Sequence, residues 1–361
     1  MTNPKDATVY MAYALQLAEK GRHTTQPNPR VGCVIVRDGV IVGEGFHQRA
    51  GEPHAEVHAL RMAGDKARGA DVFVTLEPCS HFGRTPPCAD GLITAGVRKV
   101  WAAMQDPNPE VAGKGLERLR AAGIEVECGL MQAQAQVLNR GFVMRMTRGR
   151  PFVTLKLAAS LDGRTAMANG ESQWITSEAA RADVHRLRAQ AGAVLTSSAT
   201  VLADDPELTV RHVETSRQPD RIVLDPRGRV GASAKIWNEG ARRILLTTHS
   251  PATMPAGVEV AQLDRDGEYF SLTAAMSELG RLKVNEVLVE CGPTLAGLLL
   301  QAEVVDELVL YLAPSLLGHA ARPLARLPNL EKLSQRLQFQ WRDVRVVGPD
   351  LRLTAVPAAT V

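Results

Sequence analysis

The sequence carries three short segments in a fixed order: His54-Ala55-Glu56, Glu77-Pro78-Cys79 and Pro86-Pro87-Cys88. Together they supply an imidazole, two thiols and a carboxylate that need not bind a metal. A catalytic zinc ion takes three protein ligands and leaves its fourth position to water or substrate. The segments therefore predict a zinc site with His54, Cys79 and Cys88 as ligands and with Glu56 beside it.

The same groups in the same order are typical of zinc deaminases, in which a metal-activated water attacks a ring carbon that bears an amino group. Glu56 lies two residues from His54. It is the natural group to carry a proton from water to the ring nitrogen, and then to the departing ammonia. The segments thus predict the hydrolysis of an amine.

The loop between the two cysteines departs from the commonest nucleotide-deaminase pattern, which has two residues there. Here eight residues separate Cys79 from Cys88. A loop between two ligands must pass beside the metal, and this one contains Ser80, His81 and Arg84. These side chains suit a polar substrate that bears a phosphate.

Composition is that of an ordinary globular enzyme. The 361 residues suffice for two domains, with 45% hydrophobic and 22% charged residues. A net charge of +3 argues against broad binding of nucleic acid. Five cysteines without dense spacing do not form a disulfide framework. We expect Cys33, Cys128 and Cys291 to be packing residues and, with thiolates as ligands and no membrane span, a cytoplasmic protein.

Helical and strand patterns alternate along the chain, which predicts α/β layers. Helices are expected at 8–20, 54–66, 89–95, 115–122, 177–190, 272–282 and 295–302. Strands are expected at 31–36, 40–45, 71–76, 98–104, 124–128, 152–157, 193–196, 221–224, 243–247, 286–290, 307–312, 338–347 and 351–356. The basic stretch 145–151 indicates a boundary, so we predict domains at 1–146 and 151–361 with a linker at 147–150.

The first half contains three longer motifs, at residues 25–32 (TQPNPRVG), 47–56 (HQRAGEPHAE) and 77–88 (EPCSHFGRTPPC). In these motifs it resembles the pyrimidine deaminases of riboflavin biosynthesis. The second half contains four, at residues 155–164 (LKLAASLDGR), 172–176 (SQWIT), 203–211 (ADDPELTVR) and 290–295 (ECGPTL). In these it resembles the fused pyrimidine reductase of that family.

The resemblance implies an N-terminal cytidine-deaminase-like three-layer domain and a C-terminal dihydrofolate-reductase-like domain. It implies two successive reactions on a small phosphoribosylated pyrimidine, with Zn²⁺ and NADPH as cofactors. The first deaminates 2,5-diamino-6-(5-phosphoribosylamino)pyrimidin-4(3H)-one, and the second reduces the ribosyl group of 5-amino-6-(5-phosphoribosylamino)uracil to ribityl. We expect a homo-oligomer that binds neither nucleic acid nor membrane.

The resemblance also implies the residues of the second site. Those expected to bind NADPH are Ala158, Trp174, Thr200, Asp204, Gly292, Pro293, Thr294, Leu295, Ala296, Gly297 and Leu298. Those expected to bind the reductase substrate are Ser172, Arg188, Leu208, Arg211 and Glu290. In the first domain we expect Asn28, His47, Ser80, His81 and Arg84 to contact the substrate.

Several alternatives stay open on the residues alone. Lys156, between Leu155 and Leu157, either stabilises charge on the reacting sugar as a catalytic group or merely alternates outward from its strand. Gly292 after a strand either opens a phosphate-binding helix N-terminus or forms an ordinary turn. A structural zinc could recruit His58 or His81 as a fourth ligand. The whole chain could instead be a nucleic-acid base deaminase with an appended binding module, or a zinc-stabilised scaffold.

Overall fold

A computed structural model describes residues 4–80, 87–109, 111–251 and 253–358. The chain divides into two units, Met1–Gly149 and Arg150–Val361. Each unit holds its own main sheet. All the strands and helices that the hydrophobic pattern predicts are present, with bounds shifted by a few residues.

Unit 1 contains a five-stranded sheet. Its strands are β1 (Gly32–Arg37), β2 (Val40–Phe46), β3 (Asp71–Val74), β4 (Lys99–Ala102) and β5 (Glu125–Cys128). They lie in the order β2-β1-β3-β4-β5. β1 runs antiparallel to β2 and β3, whereas β3, β4 and β5 are parallel. The hairpin turn at Asp38-Gly39 has both residues at positive φ, as a tight two-residue hairpin requires.

Helices cover both faces of this sheet. They are α1 (Pro4–Glu19), α2 (Ala55–Ala63), α3 (Cys88–Ala95), α4 (Lys114–Ala121), α5 (Gln132–Leu138) and α6 (Arg140–Arg148). Residues of α2, α3 and α4 pack with Cys33 and Ile35 of β1 in one core. Residues of α1, α5 and α6 pack with Val34 and Val36 in the other. Alternate residues of one strand thus serve two cores, which makes the unit three layers thick.

Two glycines let α2 lie close against β2. A Cβ atom at Gly43 would stand 2.2 Å from the carbonyl oxygen of Ala59. One at Gly45 would stand 2.6 Å from the carbonyl oxygen of Ala55. Glycine is therefore required for the backbones to approach this closely. The close approach sets the position of the first turn of α2, which carries Glu56.

Unit 2 contains a nine-stranded sheet and a small two-stranded one. The strands are β6 (Phe152–Ser160), β7 (Arg164–Ala166), β8 (Ala193–Ser197), β9 (Asp220–Leu224), β10 (Arg243–Thr247), β11 (Val258–Gln262), β12 (Glu286–Glu290), β13 (Glu307–Ala313), β14 (Arg322–Pro323), β15 (Phe339–Val347) and β16 (Asp350–Pro357). The large sheet has the order β11-β10-β9-β8-β12-β6-β13-β16-β15. Its first seven strands are parallel, and the final hairpin is antiparallel.

Four α-helices pack on this sheet: α7 (Glu178–Gln190), α8 (Ser198–Asp204), α9 (Leu272–Arg281) and α10 (Pro293–Gln301). α9 and α10 bury apolar residues with β6, β8, β9, β10 and β12. α7 packs on the other face through Ala180 and Val184 against Val309 and Tyr311 of β13. The stretch expected as a linker, 147–150, begins within α6, and Gly149 caps that helix in a left-handed conformation.

The sequence pattern alone did not predict six of the described elements: α5, α6, α8, β7, β11 and β14. α5 carries glutamines at positions 132, 134 and 136, so its apolar face is narrow. α6 is rich in arginine, α8 has only seven residues, and β11 is largely exposed. Short or polar elements give little hydrophobic periodicity, and tertiary contacts decide their structure.

The three cysteines outside the predicted zinc site differ in burial. Cys33 is fully buried, as predicted, and Cys291 is half-buried. The prediction that Cys128 is a packing residue is wrong, because it ends the edge strand β5 and is exposed. Within the described part of the chain, no helix has the length and apolar character needed to span a bilayer.

Asn139 joins the loop before β1 to the junction of α5 and α6. Its Oδ1 accepts the backbone N–H of Arg30 at 2.7 Å, and its Nδ2 donates to the carbonyl oxygen of Arg30 at 2.9 Å. The Arg30 guanidinium in turn donates to the carbonyl oxygen of Leu138 at 2.6 Å. Asn139 is 3% exposed, so these bonds are shielded from bulk water. The loop that carries Asn28 is fixed from this point.

We expect Asn139→Ala to lower the free energy of unfolding of unit 1 by about 2 kcal/mol, because a buried backbone donor and acceptor lose their partner. Amide hydrogen exchange in β1 and α5 of the full-length protein measures this change. Gln136→Ala, on the exposed face of α5, is the matched control and should change little. Equal protection in the two variants would refute the anchoring role.

Candidate functional site

Three element boundaries bring the predicted zinc ligands together. His54 is the N-cap residue of α2, and Cys88 is the first residue of α3. Cys79 follows β3, the central strand of the sheet. A backbone hydrogen bond of 3.1 Å from Ala89 to the carbonyl oxygen of Cys79 ties the two cysteine segments to each other.

The donor atoms have the spacing of a tetrahedral zinc site. His54 Nδ1 lies 3.3 Å from Cys88 Sγ and 3.6 Å from Cys79 Sγ. Tetrahedral zinc with ordinary bond lengths holds nitrogen and sulfur about 3.6 Å apart. All three ligand atoms lie within 4.8 Å of one another. One imidazole and two thiolates suit zinc in both geometry and charge, so the residues fit the metal.

Electrostatics favour a thiolate in this cluster. Hydrogen bonds from the Cys88 thiol, from His54 and from the Cys88 backbone N–H lower the pKa of Cys79 to about 4. The N–H of Cys88 donates to Cys79 Sγ at 3.3 Å. The pKa of Cys88 is raised instead, because it donates to Cys79 and is buried beside Glu56. The two sulfurs thus share one proton, and a divalent cation would remove this competition by binding both as thiolates.

Glu56 is buried beside the three ligands. It is 3% exposed, and burial raises its pKa to about 7. Its Oε2 has no hydrogen-bond partner among the described residues. A buried carboxylate oxygen without a partner is costly in a purely structural role. With a pKa near neutrality, such a group suits proton transfer.

Glu77 holds the loop that precedes Cys79, a role that the sequence did not reveal. Its carboxylate is 3% exposed and accepts four backbone N–H groups. The donors are those of Asp106 at 3.0 Å, Gly113 at 3.0 Å, Gly115 at 2.8 Å and Leu116 at 3.4 Å. Two of them belong to the first turn of α4, where the helix dipole favours a carboxylate.

Of the residues expected to contact the substrate in unit 1, Asn28, His47 and Ser80 lie among the described residues. The His47 ring lies edge-on to His54, with centroids 5.5 Å apart. Its Nδ1 lies 3.2 Å from the carbonyl oxygen of Pro53, and its Nε2 lies 3.2 Å from Asn28 Nδ2. Nδ1 therefore donates and Nε2 accepts, so the Asn28 amide is oriented by His47. Ser80 is half-buried, whereas His81 and Arg84 lie outside the described residues.

In unit 2 a cavity of about 570 Å³ lies at the carboxyl ends of the parallel strands. It is lined by residues that follow β8 and β9 and by Thr294, Leu295 and Leu298 of α10. These three are among the predicted cofactor residues. α10 begins with Gly292 as N-cap and Pro293 in its first turn, without a side-chain cap. Its first N–H groups therefore need an outside acceptor, such as a phosphate.

The other predicted cofactor residues do not line this cavity. Ala296 is fully buried, and a Cβ at Gly297 would stand 1.9 Å from the carbonyl oxygen of Arg326. These two residues therefore pack α10 against its surroundings. Thr200 and Asp204 lie on α8, and Ala158 lies on β6. Trp174 is 68% exposed, with the Arg181 guanidinium 4.4 Å from its ring centroid.

Sequence reasoning missed two basic residues that line the cavity. Arg227 and Arg229 lie in the turn after β9. Arg229 donates to Ser198 Oγ at 2.9 Å, and Arg227 pairs with Glu268 at 2.5 Å. The available signal was a pair of arginines directly after an apolar strand.

Arg188 of α7 and Glu290 at the end of β12 form a bidentate ion pair. The Nε–Oε1 and Nη2–Oε2 distances are 2.5 and 3.0 Å. Burial opposes ionisation of Glu290, but Arg188 lowers its pKa to about 2. Lys156 lies opposite Glu290 in the pairing of β6 with β12, and its Nζ is 5.8 Å from the Tyr311 ring centroid. Burial lowers the pKa of Lys156, while Glu290 opposes that shift.

The other residues predicted to bind the reductase substrate are Leu208, Arg211 and Ser172. The first two belong to a segment that is bonded to this ion pair, and Ser172 does not. Leu208 is buried, whereas the Arg211 guanidinium is half exposed. A hydrogen bond of 3.0 Å from Arg188 to the carbonyl oxygen of Thr209 ties their segment to the pair. Ser172 is half-buried in the segment before α7, and no described contact joins it to the pair.

The fold and the two sites define a class: an α/β enzyme with a zinc-binding deaminase unit and a reductase unit. Residues 4–104 match the cytidine and deoxycytidylate deaminase zinc-binding region. Residues 151–353 match the RibD C-terminal domain. The predicted fold class is thereby confirmed, cytidine-deaminase-like in the first unit and dihydrofolate-reductase-like in the second.

Relatives cover nearly the whole chain. It is 57% identical to riboflavin biosynthesis protein RibD of Escherichia coli, over 97% of this chain and 99% of that protein. Among solved structures, Acinetobacter baumannii RibD (form 1) matches with a TM-score of 0.91 at 45% identity, over 98% and 99% of the two chains.

A structure from Thermotoga maritima matches with a TM-score of 0.88 at 36% identity, over 98% of this chain and 99% of that one. It is described as a diaminohydroxyphosphoribosylaminopyrimidine deaminase/5-amino-6-(5-phosphoribosylamino)uracil reductase. The chain belongs to the RibD family of riboflavin biosynthesis proteins. Its two domains make it a bifunctional enzyme, for which Zn²⁺ and NADPH are fitting cofactors.

We expect Glu56→Gln to reduce ammonia release by at least about 100-fold, because the amide keeps the shape of the side chain but cannot accept a proton. Zinc content, measured by atomic absorption, should stay near one ion per chain. Glu52→Gln, at an exposed position four residues earlier, is the control and should remain active. Normal ammonia release by the Glu56 variant would exclude it as the proton carrier.

Proposed function

We propose that the chain catalyses two successive steps of riboflavin biosynthesis. Residues 1–146 deaminate 2,5-diamino-6-(5-phosphoribosylamino)pyrimidin-4(3H)-one. Residues 151–361 then reduce the ribosyl group of 5-amino-6-(5-phosphoribosylamino)uracil to ribityl with NADPH. The observation that carries the first step is the His54–Cys79–Cys88 cluster with the partnerless carboxylate oxygen of Glu56 beside it. The description of the Thermotoga maritima relative supports both substrates.

In the first step, water replaces the amino group of the pyrimidine ring, and ammonia leaves. His54, Cys79 and Cys88 would hold zinc, which would supply the Lewis acidity that lowers the pKa of water. Glu56 accepts the proton from water and delivers it to the ring nitrogen, and then to the departing amine. Its pKa of about 7 suits both acceptance and release of a proton at neutral pH.

Residues around the zinc site orient the substrate. The His47 ring is neutral, since burial lowers its pKa. Its hydrogen bond with the Asn28 Nδ2 leaves Asn28 Oδ1 as an acceptor for a ring N–H or an amino group. We assign Ser80, His81 and Arg84, in the loop between the cysteines, to the polar and phosphate-bearing parts of the substrate.

In the second step, the open-chain aldehyde or imine form of the ribosyl group would gain a hydride, which bound NADPH would supply, and a proton from water. The N-terminus of α10, from Gly292 to Leu295, holds the cofactor phosphates, and Leu298 lines the cavity beside it. Ala296 and Gly297, in the same predicted segment, keep the helix in place by packing. Ala158, Trp174, Thr200 and Asp204 complete the cofactor site. Lys156 stabilises the charge that develops on the reacting sugar oxygen or nitrogen. Ser172, Arg188, Leu208, Arg211 and Glu290 position the substrate.

We place the enzyme in the cytoplasm, because the two thiolate ligands need a reducing compartment. A nucleic-acid substrate is disfavoured by the net charge of +3 and by the match of the second unit to a reductase domain. A scaffold role is disfavoured by the buried, partnerless oxygen of Glu56.

We expect a chelator to separate the two activities. Removal of zinc should abolish ammonia release but leave NADPH oxidation intact when the deaminated uracil is supplied directly. Restored zinc should bring ammonia release back. Both rates are followed in one assay, by ammonia determination and by absorbance at the NADPH band. Loss of both activities to the same degree would contradict separate sites, and unfolding of unit 1 without zinc would favour a structural metal.

We further propose that the enzyme is a homo-oligomer that associates through the hairpin of β15 and β16. β15 is an edge strand, and it exposes Trp341, Val344 and Val346 by 63, 57 and 70%. Exposed apolar edge strands invite pairing with another strand. The occupant that we infer is a second copy, because one strand carrying both arginine and aspartate can pair antiparallel with itself about a twofold axis.

Val346→Lys should therefore shift the sedimentation of the full-length enzyme toward the monomer, since it places a charge in an apolar interface. Val137→Lys is the matched control, because Val137 is a similarly exposed valine (71%) on α5 of unit 1. A wild-type enzyme that sediments as a monomer at micromolar concentration would overturn this proposal.

A further inference from the structure

The segment from Leu208 to His212 is held in an unusual backbone conformation. Leu208 has a φ of 52° and His212 a φ of 62°, so both ends lie in the left-handed region that residues other than glycine rarely adopt. Such conformations persist when surrounding contacts fix them, and they cluster at ligand-binding positions. The segment contains Arg211, to which we assign a substrate contact.

Side chains, rather than a neighbouring strand, satisfy the backbone of this segment. Arg188 Nη1 donates to the carbonyl oxygen of Thr209 at 3.0 Å. Gln218 accepts the N–H of Val210 at 2.6 Å and donates to its carbonyl oxygen at 3.1 Å. His185 Nδ1 accepts the N–H of Arg211 at 3.0 Å. Four consecutive polar groups of the main chain are thus bound by three side chains.

The chemistry of His185 suits a permanent acceptor. Because Nδ1 accepts a hydrogen bond, the ring proton lies on Nε2. His185 is 7% exposed, and burial, with Arg188, Arg211 and His212 nearby, lowers its pKa to about 4. The imidazole therefore remains neutral at physiological pH and keeps its lone pair for Arg211.

The contacts connect this segment to the sheet while leaving the Arg211 side chain accessible. Arg188 is itself fixed by the bidentate pair with Glu290 at the end of β12. The Arg211 guanidinium is 54% exposed and makes longer contacts, 3.5 Å to Glu207 and 3.3 Å to Thr209 Oγ1. Its backbone is rigid, whereas its charged end can bind an anion.

We propose that His185 and Gln218 are positioning residues of the reductase, which fix the backbone of residues 209–211 so that Arg211 meets the phosphorylated substrate. The inference rests on the reductase activity proposed above. Neither residue needs to touch the substrate, since each acts through the main chain. The loss of either should weaken binding of the phosphorylated pyrimidine more than binding of NADPH.

The test compares His185→Leu with His185→Asn in the full-length enzyme. Leucine removes the acceptor, whereas the asparagine oxygen can occupy the place of Nδ1. We expect His185→Leu to raise the KM for the deaminated substrate at least about tenfold, because a buried N–H is left unpaired. The KM for NADPH and the rate of ammonia release should stay unchanged. His185→Asn should recover a KM within about threefold of the wild type.

Equal defects in the leucine and asparagine variants, or a matching rise in the KM for NADPH, would overturn the proposal in favour of general packing. Gln218→Leu and Gln218→Glu form a second pair if His185→Leu does not fold. Leucine should raise the substrate KM, and glutamate should recover part of it by accepting the Val210 N–H. Unchanged KM values in both Gln218 variants would then refute the inference.

Failure of the proposed function gives a different result from failure of this inference. In the first case the wild-type enzyme oxidises no NADPH with the deaminated substrate. In the second the wild type is active and the variants match it. Ammonia release from unit 1 measures the enzyme concentration in every sample, and an unchanged KM for NADPH reports that unit 2 is folded.

Discussion

Both sites depend on one constraint of sheet geometry: parallel strands end at a common edge, and the helices that follow them begin there. In unit 1 this edge receives Cys79 after β3, and Cys88 opens α3. In unit 2 the ends of β8 and β9 bound the cavity, and α10, which follows β12, completes it. Helix N-termini present unpaired N–H groups, so both edges favour anions, a thiolate in one unit and phosphate in the other.

Buried carboxylates show which groups serve structure and which serve chemistry. Glu77 is satisfied by four backbone N–H groups, and Glu290 by the guanidinium of Arg188. Asp183 accepts from Tyr311 at 2.6 Å and from Arg352 at 3.0 Å. Glu56 combines a buried oxygen without a hydrogen-bond partner, which Asp225 also has, with a pKa raised to about 7 and a position beside the three predicted zinc ligands. An incompletely satisfied carboxylate next to metal ligands is the mark of a group that exchanges protons.

The residues that bind the metal could be predicted from the sequence, whereas residues whose role depends on tertiary packing mostly could not. His54, Cys79 and Cys88 could be identified because few residue types bind zinc and their spacing is distinctive. His185 and Gln218 could not, because their partners are backbone groups 26 and 8 positions away that only folding brings near. Arg188 is an intermediate case. An arginine is expected to bind an anion, but only the structure shows that this anion is the carboxylate of Glu290. The family resemblance implied that Gly297 binds the cofactor, whereas its close approach to Arg326 reflects packing.

The glycines at 43 and 45 limit how this active site can vary. β2 carries no catalytic group, yet the spacing between its backbone and α2 sets how far Glu56 stands from the cysteines of the neighbouring segments. Substitution by even a methyl group would push the helix outward and take the proton carrier with it. Sequence drift in this unit is therefore constrained at positions without any functional side chain. Attempts to alter its substrate range should leave the hairpin untouched and vary the loop between the cysteines.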